Sequence, residues 1–84
     1  MNYVLSMTRR SQTELSALIG GSYNQVIQGM DRLRTAPRGP GCRKMRGREA
    51  WRLRVGRFRV IYEIDDAMRT VLILRVGHRR EIYR

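Results

Sequence analysis

The chain has 84 residues, 42% of them apolar, and 18 basic residues against 7 acidic ones give a formal net charge of +11 at pH 7. This length fits one domain with one modest core, and the apolar content excludes a disordered basic tail. No apolar run is long enough to cross a bilayer, and a single cysteine excludes an internal disulfide. Residues 1–84 are therefore predicted to form one globular domain.

The N-terminal segment, MNYVLS, has neither a basic leader nor a long apolar stretch, so no signal peptide is expected. No cluster of metal-ligating residues surrounds Cys42. The sequence also lacks an amphipathic basic helix of the kind that binds membrane surfaces. These features predict a cytoplasmic protein that binds no membrane and needs neither a metal nor another cofactor.

The positive charge lies in one part of the chain. Arg9 and Arg10 balance Glu14 and Asp31 within residues 1–31, so residues 32–84 carry the whole net charge of +11. All the basic residues except Lys44 are arginines, whose planar guanidinium binds phosphate through two hydrogen bonds and stacks on bases. This pattern favours a nucleic acid as the partner.

The first half of the chain is predicted to contain an edge strand, residues 1–7, followed by two helices. Segments 11–14 (SQTE) and 22–25 (SYNQ) each match a capping box, so a helix is predicted to begin at each. Gly20 and Gly21 are predicted to end the first helix, and Pro37 the second. The apolar residues expected to be buried are Leu15, Leu18 and Ile19 in the first helix, and Val26, Ile27, Met30 and Leu33 in the second.

From Trp51 onward the apolar residues alternate with period two, which predicts strands at 51–55, 58–64 and 70–76, with turns at Gly56 and at residues 65–66. Because side chains alternate between the faces of a strand, six are expected to face the helices: Trp51, Leu53, Val55, Phe58, Val60 and Tyr62. The predicted fold is α+β, with an N-terminal helical hairpin packed on one face of a small, mainly antiparallel twisted sheet whose other face is basic.

Arg52, Arg54 and Arg59 are expected to lie together on that other face. A single exposed arginine usually serves solubility, but three of them with few acids nearby repel one another unless an anion is bound. Trp51 and Tyr62 could stack on bases, although their phase in the strands favours the core.

The segment after the last strand contains His78, the one side chain that ordinarily titrates near neutrality and therefore a candidate for proton transfer. Gly77 is expected to let the chain bend, so that His78, Arg79 and Tyr83 lie over the rim of the sheet.

Two stretches, WRLRVGRFRVIYEI at 51–64 and VGHRREIY at 76–83, resemble the RelE/ParE superfamily of bacterial type II toxins, and the likeness extends over nearly the whole chain. The resemblance implies an mRNA interferase that cleaves messages in the ribosomal A site and is silenced by a cognate antitoxin. In RelE-like members the chemistry is done by basic residues on two strands and by an arginine and a tyrosine near the C-terminus. The matching positions here are Arg52, Arg54, Arg59, Arg79 and Tyr83.

The sequence departs from that family where it has arginine at positions 52 and 54, because the family pattern favours lysine there. A guanidinium is a poor proton acceptor at neutral pH, so the general base is left open. His78 is favoured over Glu63 and Glu81, and the alternative is that cleavage depends on positioning by the ribosome and on charge stabilisation. No helix is expected after Tyr83, since the chain ends at Arg84.

The expected function is thus a ribosome-dependent endoribonuclease toxin whose partners are mRNA, the ribosome and an acidic antitoxin. The alternatives are a ParE-like poison of DNA gyrase without nuclease activity, and a basic RNA-binding module without catalysis. The candidate catalytic residues are Arg52, Arg54, Arg59, His78, Arg79 and Tyr83, and the candidate RNA-binding residues are Arg43, Lys44, Arg46, Arg48, Arg57 and Arg75.

Overall fold

The computed structural model describes residues 2–82. A five-stranded sheet has the strand order β1-β5-β4-β3-β2, with β1 parallel to β5 and the other three pairings antiparallel. The elements are β1 (Val4–Met7), α1 (Arg9–Ser16), α2 (Gly20–Arg32), β2 (Cys42–Lys44), β3 (Trp51–Val55), β4 (Phe58–Asp65), β5 (Thr70–His78) and α3 (Arg79–Ile82). The predicted α+β fold is confirmed.

Helices α1 and α2 cover one face of the sheet and form the core with it. As predicted, Leu53, Val55, Val60 and Tyr62 are buried in this core, while Trp51 and Phe58 pack at its margin. The helices contribute Leu15, Val26, Met30 and Leu33. The period-two pattern was a sufficient guide here because one face of the sheet is covered.

The predicted helix starts and two of the predicted buried residues were wrong. Helix α1 begins at Arg9, where Thr8 accepts a hydrogen bond from the amide of Ser11 at 3.1 Å. The Thr8 hydroxyl also donates to the carbonyl of Leu74 at 3.1 Å, so a tertiary contact with β5 fixes the cap. Helix α2 begins at Gly20 without a side-chain cap. Ile19 lies in the link between the helices and Ile27 on the outer side of α2, and they are 83% and 37% exposed.

The other face of the sheet is less uniformly basic than predicted, because α3 folds back onto it. Ile82 of this four-residue helix is buried with Ala50 and Ile61, and Met45 and Leu74 pack beside them. Beyond this apolar cluster lies a groove lined by acidic side chains that include Glu49, Glu63, Asp65 and Asp66. The basic part of the face is confined to the end formed by β2, β3 and the start of β4.

None of the described helices combines the length and apolar character needed to cross a membrane. Between residues 2 and 82, the structure contains no group of three or more histidine, cysteine or acidic side chains able to hold a metal ion.

Asp66 joins three distant segments of the chain. It accepts a hydrogen bond from the Tyr3 hydroxyl at 2.5 Å and a bidentate pair from Arg38 at 3.2 and 2.8 Å. The Arg38 guanidinium lies 5.5 Å from the centre of the Trp51 ring, within cation–π range. Asp66 therefore fastens the start of β1 and the loop after α2 to the β4–β5 turn.

We expect Asp66→Asn to lower the melting temperature at pH 7 but not in strong acid. Hydrogen bonds from Arg38 and then Tyr3 lower the pKa of Asp66 from its ordinary 3.8 to about 2. A carboxylate with a depressed pKa contributes stability that is present above its ordinary pKa and is lost as the pH falls through the folded value. Melting curves of both proteins should therefore differ at pH 7 and converge near pH 2. Glu63→Gln is the control, and a difference independent of pH would contradict the prediction.

Candidate nucleic-acid interface

Side chains from three neighbouring strands form a cationic groove, which we call the arginine platform: Arg43, Arg52, Arg54 and Arg59. Arg43 pairs directly across from Arg52, and Arg54 directly across from Arg59. Residues 52 and 54 share a face because they are two apart on β3. The three strand arginines expected on one face therefore lie together, joined by Arg43 around a groove of about 410 Å³.

Glycines flank one row of the platform, which is open at one end and covered by α3 at the other. Gly41, with φ +84°, accepts a hydrogen bond from the amide of Arg54 at 3.0 Å, and Gly77 pairs across from Arg59. Gly41 has no side chain that could cover the guanidinium groups, whereas a Cβ on Gly77 would lie only 3.7 Å from Cβ of Ile82. A polymer can therefore approach Arg54 and Arg59 from the Gly41 end of the row.

The Arg59 guanidinium is held in place by the backbone of the β3–β4 turn. Its Nη1 donates to the carbonyl of Gly56 at 3.0 Å and to that of Phe58 at 2.8 Å. The remaining N–H groups are donors whose direction is set before any ligand arrives. Fixed donors of this kind stabilise developing negative charge without having to reorganise.

No acidic residue lines the platform groove within the described part of the chain. Like charges directly opposite each other on neighbouring strands destabilise a sheet, and the platform contains two such pairs. An anion with several phosphate groups relieves this repulsion. The charge of the Arg54–Arg59 pair therefore lowers the stability of the free protein, and an anion is the ligand chemically suited to this groove.

We expect Arg54→Gln to stabilise the free protein by about 0.2–1 kcal/mol, because it removes one member of a like-charge pair. The same change should weaken the binding of single-stranded RNA. Urea unfolding and fluorescence anisotropy measure the two effects, and the gain in stability should shrink at high salt. A loss of stability equal to that of a core substitution would contradict the electrostatic account.

Several candidate RNA-binding residues lie outside the platform. Arg46 and Arg48 are exposed in the turn between β2 and β3, and Arg57 is exposed in the turn before β4. Lys44 pairs across from Trp51, so it belongs to the opposite face, and its Nζ lies 3.4 Å from a Glu49 oxygen.

Arg75 is engaged within the fold. Its Nε and Nη2 lie 3.1 and 3.0 Å from Oε2 of Glu14, and the other Glu14 oxygen accepts from the amide of Val76 at 2.9 Å. Both charged side chains are 22% exposed. Glu14 is 61 residues away along the chain, so the sequence could not reveal this partner.

His78 lies apart from the platform. It pairs across from Phe58, so it faces the helical hairpin, and the two rings meet edge to face at 5.9 Å. Its Nδ1 accepts a hydrogen bond from the amide of Arg80 at 3.2 Å. Arg79 begins α3, and its amide donates to the carbonyl of Arg57 at 2.9 Å.

Residues 57 and 78–80 line a second, smaller basic groove of about 300 Å³, which includes Arg80, a residue not among the candidates. Tyr83 lies outside the described residues.

A family model described as "ParE toxin of type II toxin-antitoxin system, parDE" matches residues 7–83. The chain belongs to this ParE toxin family. It is thus a toxin of the type II toxin–antitoxin class, within the RelE/ParE superfamily that the sequence resembled.

Solved toxin structures have the same fold as this ParE-family toxin. A chain of the RelBE toxin–antitoxin complex from Mycobacterium tuberculosis superposes with a TM-score of 0.84 at 28% identity, over 94% of this chain and 100% of that one. The isolated RelE toxin of E. coli has the same fold, with a TM-score of 0.80 at 23% identity over 96% of this chain and 90% of its own.

A shorter match links the ParE-family toxin to Toxin RelG of Mycobacterium tuberculosis. The two are 58% identical over 31 residues, which is 37% of this chain and 36% of that relative. The matched segment thus spans about a third of the relative's length.

Proposed function

We propose that this toxin is an mRNA interferase that acts on ribosome-bound messages in the cytoplasm. The observation that carries the proposal is the arginine platform, an open groove of four guanidinium groups on rigid strands. A guanidinium binds a phosphate through two parallel hydrogen bonds, and a row of them can follow a sugar–phosphate backbone. Arg46, Arg48 and Arg57 would contact the RNA beyond the groove.

The proposed reaction is attack of a ribose 2′-oxygen on the adjacent phosphate. The bond from the 2′-oxygen to phosphorus forms, the bond from phosphorus to the 5′-oxygen breaks, and a proton leaves the 2′-hydroxyl while another joins the 5′-oxygen. The products are a 2′,3′-cyclic phosphate and a 5′-hydroxyl. Arg59 would stabilise the extra charge on the phosphorus oxygens, because its guanidinium is already fixed by the turn.

No carboxylate or imidazole lines the platform groove among residues 2–82. His78 is a poor candidate for the base, because its Nδ1 already accepts a hydrogen bond and the neutral ring then carries its proton on Nε2. Glu63 lines the acidic groove instead. We therefore propose that cleavage depends on orientation of the RNA by the ribosome and on charge stabilisation by arginine.

Arg79 and Tyr83 complete the proposed site. Arg79 is exposed at the start of α3, in the second basic groove, where it can reach a phosphate next to the one that is cut. Tyr83 would stack on a base or orient the 2′-hydroxyl. Arg75 is left out of the RNA-binding set, since Glu14 already neutralises it.

The proposed inhibitor is an acidic antitoxin that covers the platform. A net charge of +11 attracts a negatively charged partner over a long range, and charge complementarity speeds association. Two of the matching structures are RelBE complexes of a toxin with its antitoxin, from Mycobacterium tuberculosis and E. coli.

Inducible expression followed by mapping of 5′ ends on cellular messages tests this function. We expect new 5′ ends inside translated codons for the wild type and their loss for Arg79→Ala. Messages that stay intact while growth stops would overturn the proposal.

A ParE-like gyrase poison is the second candidate, because the matching family model is named for ParE. This activity needs no RNA cleavage, so it predicts a DNA-damage response with intact messages. The platform favours the nuclease, since a row of guanidinium groups along a groove matches the spacing of charges on a sugar–phosphate backbone.

A further inference from the structure

We propose that a third groove, which lies between α2 and the β3–β4 turn and which we call the α2 groove, holds the RNA that flanks the cleaved nucleotide. This inference rests on the proposed function, and it assigns a binding role to α2 that the platform does not require. The groove measures about 410 Å³ and is lined by Gln25, Gln28, Gly29, Arg32, Arg54, Val55 and Gly56.

The platform groove and the α2 groove are continuous through one side chain. Arg54 lines the platform groove and also the groove on α2, so it lies at the passage from one to the other. A strand held on the platform and extended past Arg54 reaches Arg32 next. Neither groove is lined by an acidic residue among those the structure describes, so the cationic path is not interrupted.

Gly29 gives the α2 groove its shape. A Cβ at this position would lie 2.7 Å from Cγ2 of Val55, so the absence of a side chain lets α2 approach β3 closely. Gln25 and Gln28 stand three residues apart and Arg32 four residues further, spacings that place all three on one face of the helix. The close approach therefore shapes a trough in which polar side chains from α2 lie beside Val55.

The chemistry of these walls suits single-stranded RNA. Arg32 makes no hydrogen bond or ion pair with another side chain among residues 2–82, so its guanidinium is available for a phosphate. The glutamine amides provide donors and acceptors for base edges. Gln25 lies against Gly56, with its Nε2 3.0 Å from where a Cβ would be, and a larger residue there would displace it.

The length dependence of RNA binding tests this groove. Anisotropy is measured with 2′-O-methyl oligonucleotides of about three and about nine nucleotides, which cannot be cleaved by 2′-attack. We expect Arg32→Ala to weaken binding of the longer RNA about fivefold and to reduce the slope of log K against log salt concentration by about one. The affinity for the shorter RNA should stay unchanged. Arg9→Ala, an exposed arginine on α1 outside both grooves, is the matched control.

Four other results would overturn the proposed RNA-binding role of this groove. The proposal is wrong if Arg32→Ala leaves the longer RNA unaffected, if it weakens both lengths equally, or if the wild type binds neither. It is also wrong if the variant weakens only the binding of an acidic antitoxin, since the groove would then belong to a protein partner. If length-dependent binding is seen but ribosome-bound messages stay intact, the groove stands and the nuclease proposal fails.

Discussion

Arg59→Ala should lower the rate of message cleavage on the ribosome by about 100- to 1000-fold, the loss typical when one preorganised donor to a developing oxyanion is removed. The expectation follows from the position of Arg59 across from Arg54 and from its anchoring by the Gly56 and Phe58 carbonyls. Single-turnover cleavage of a message with a defined A-site codon measures the rate directly.

The matched control for this substitution is Arg9→Ala, which removes an equal charge from α1 and should leave the rate unchanged. Binding of Arg59→Ala to the ribosome should fall much less than its rate, because long-range attraction depends on the whole net charge. If rate and affinity fell by the same factor, Arg59 would serve binding alone, and its proposed part in the reaction would be wrong.

Tyr62→Ala should destabilise the fold by about 3–5 kcal/mol, a large part of the ~5–15 kcal/mol that keeps a domain folded. The Tyr62 side chain is fully buried in the core between the sheet and the helices. Its hydroxyl donates to the carbonyl of Pro37 at 2.6 Å, which fixes the loop after α2. Burial raises the pKa of this hydroxyl above its ordinary value, so the group is a protonated donor at neutral pH.

Tyr62→Phe separates the ring from the hydrogen bond. It should cost about 1–3 kcal/mol, because the Pro37 carbonyl loses its buried partner while the ring still fills the core. Tyr23→Phe, at an exposed position on α2, should change nothing measurable. Urea unfolding of the three variants checks the order, and equal stability of Tyr62→Phe and the wild type would mean that the loop is held by other contacts.

Most of the sheet could be predicted because the alternation of apolar and polar residues is visible within each strand. Period-two alternation placed Leu53 and Val60 in the core and put the arginines of β3 and β4 on the other face. No strand was predicted at β2, in contrast, since its three residues, Cys42–Lys44, are too few to show a period. That strand adds Arg43 to the platform through its pairing with Arg52.

Contacts between segments that are far apart along the chain could not be predicted from the sequence. The capping box at residues 11–14 was locally sound, yet Ser11 is buried and its hydroxyl donates to the carbonyl of Ile73 at 3.0 Å, while Glu14 binds Arg75. His78 was expected at the rim with the arginines. Its register opposite Phe58 turns it to the face covered by the hairpin, and register is set by the whole sheet.

In the proposed reaction, the arginine platform cleaves RNA through the RNA's own 2′-hydroxyl. The most direct measurement uses purified ribosomes carrying a message in which one A-site ribose at a time is replaced by 2′-deoxyribose. We expect the toxin to cut the unmodified codon, leaving a 2′,3′-cyclic phosphate, and one deoxy substitution to abolish the cut. Cleavage that persists at every deoxy position, or a message that stays intact beside fully active wild-type toxin, would contradict the account.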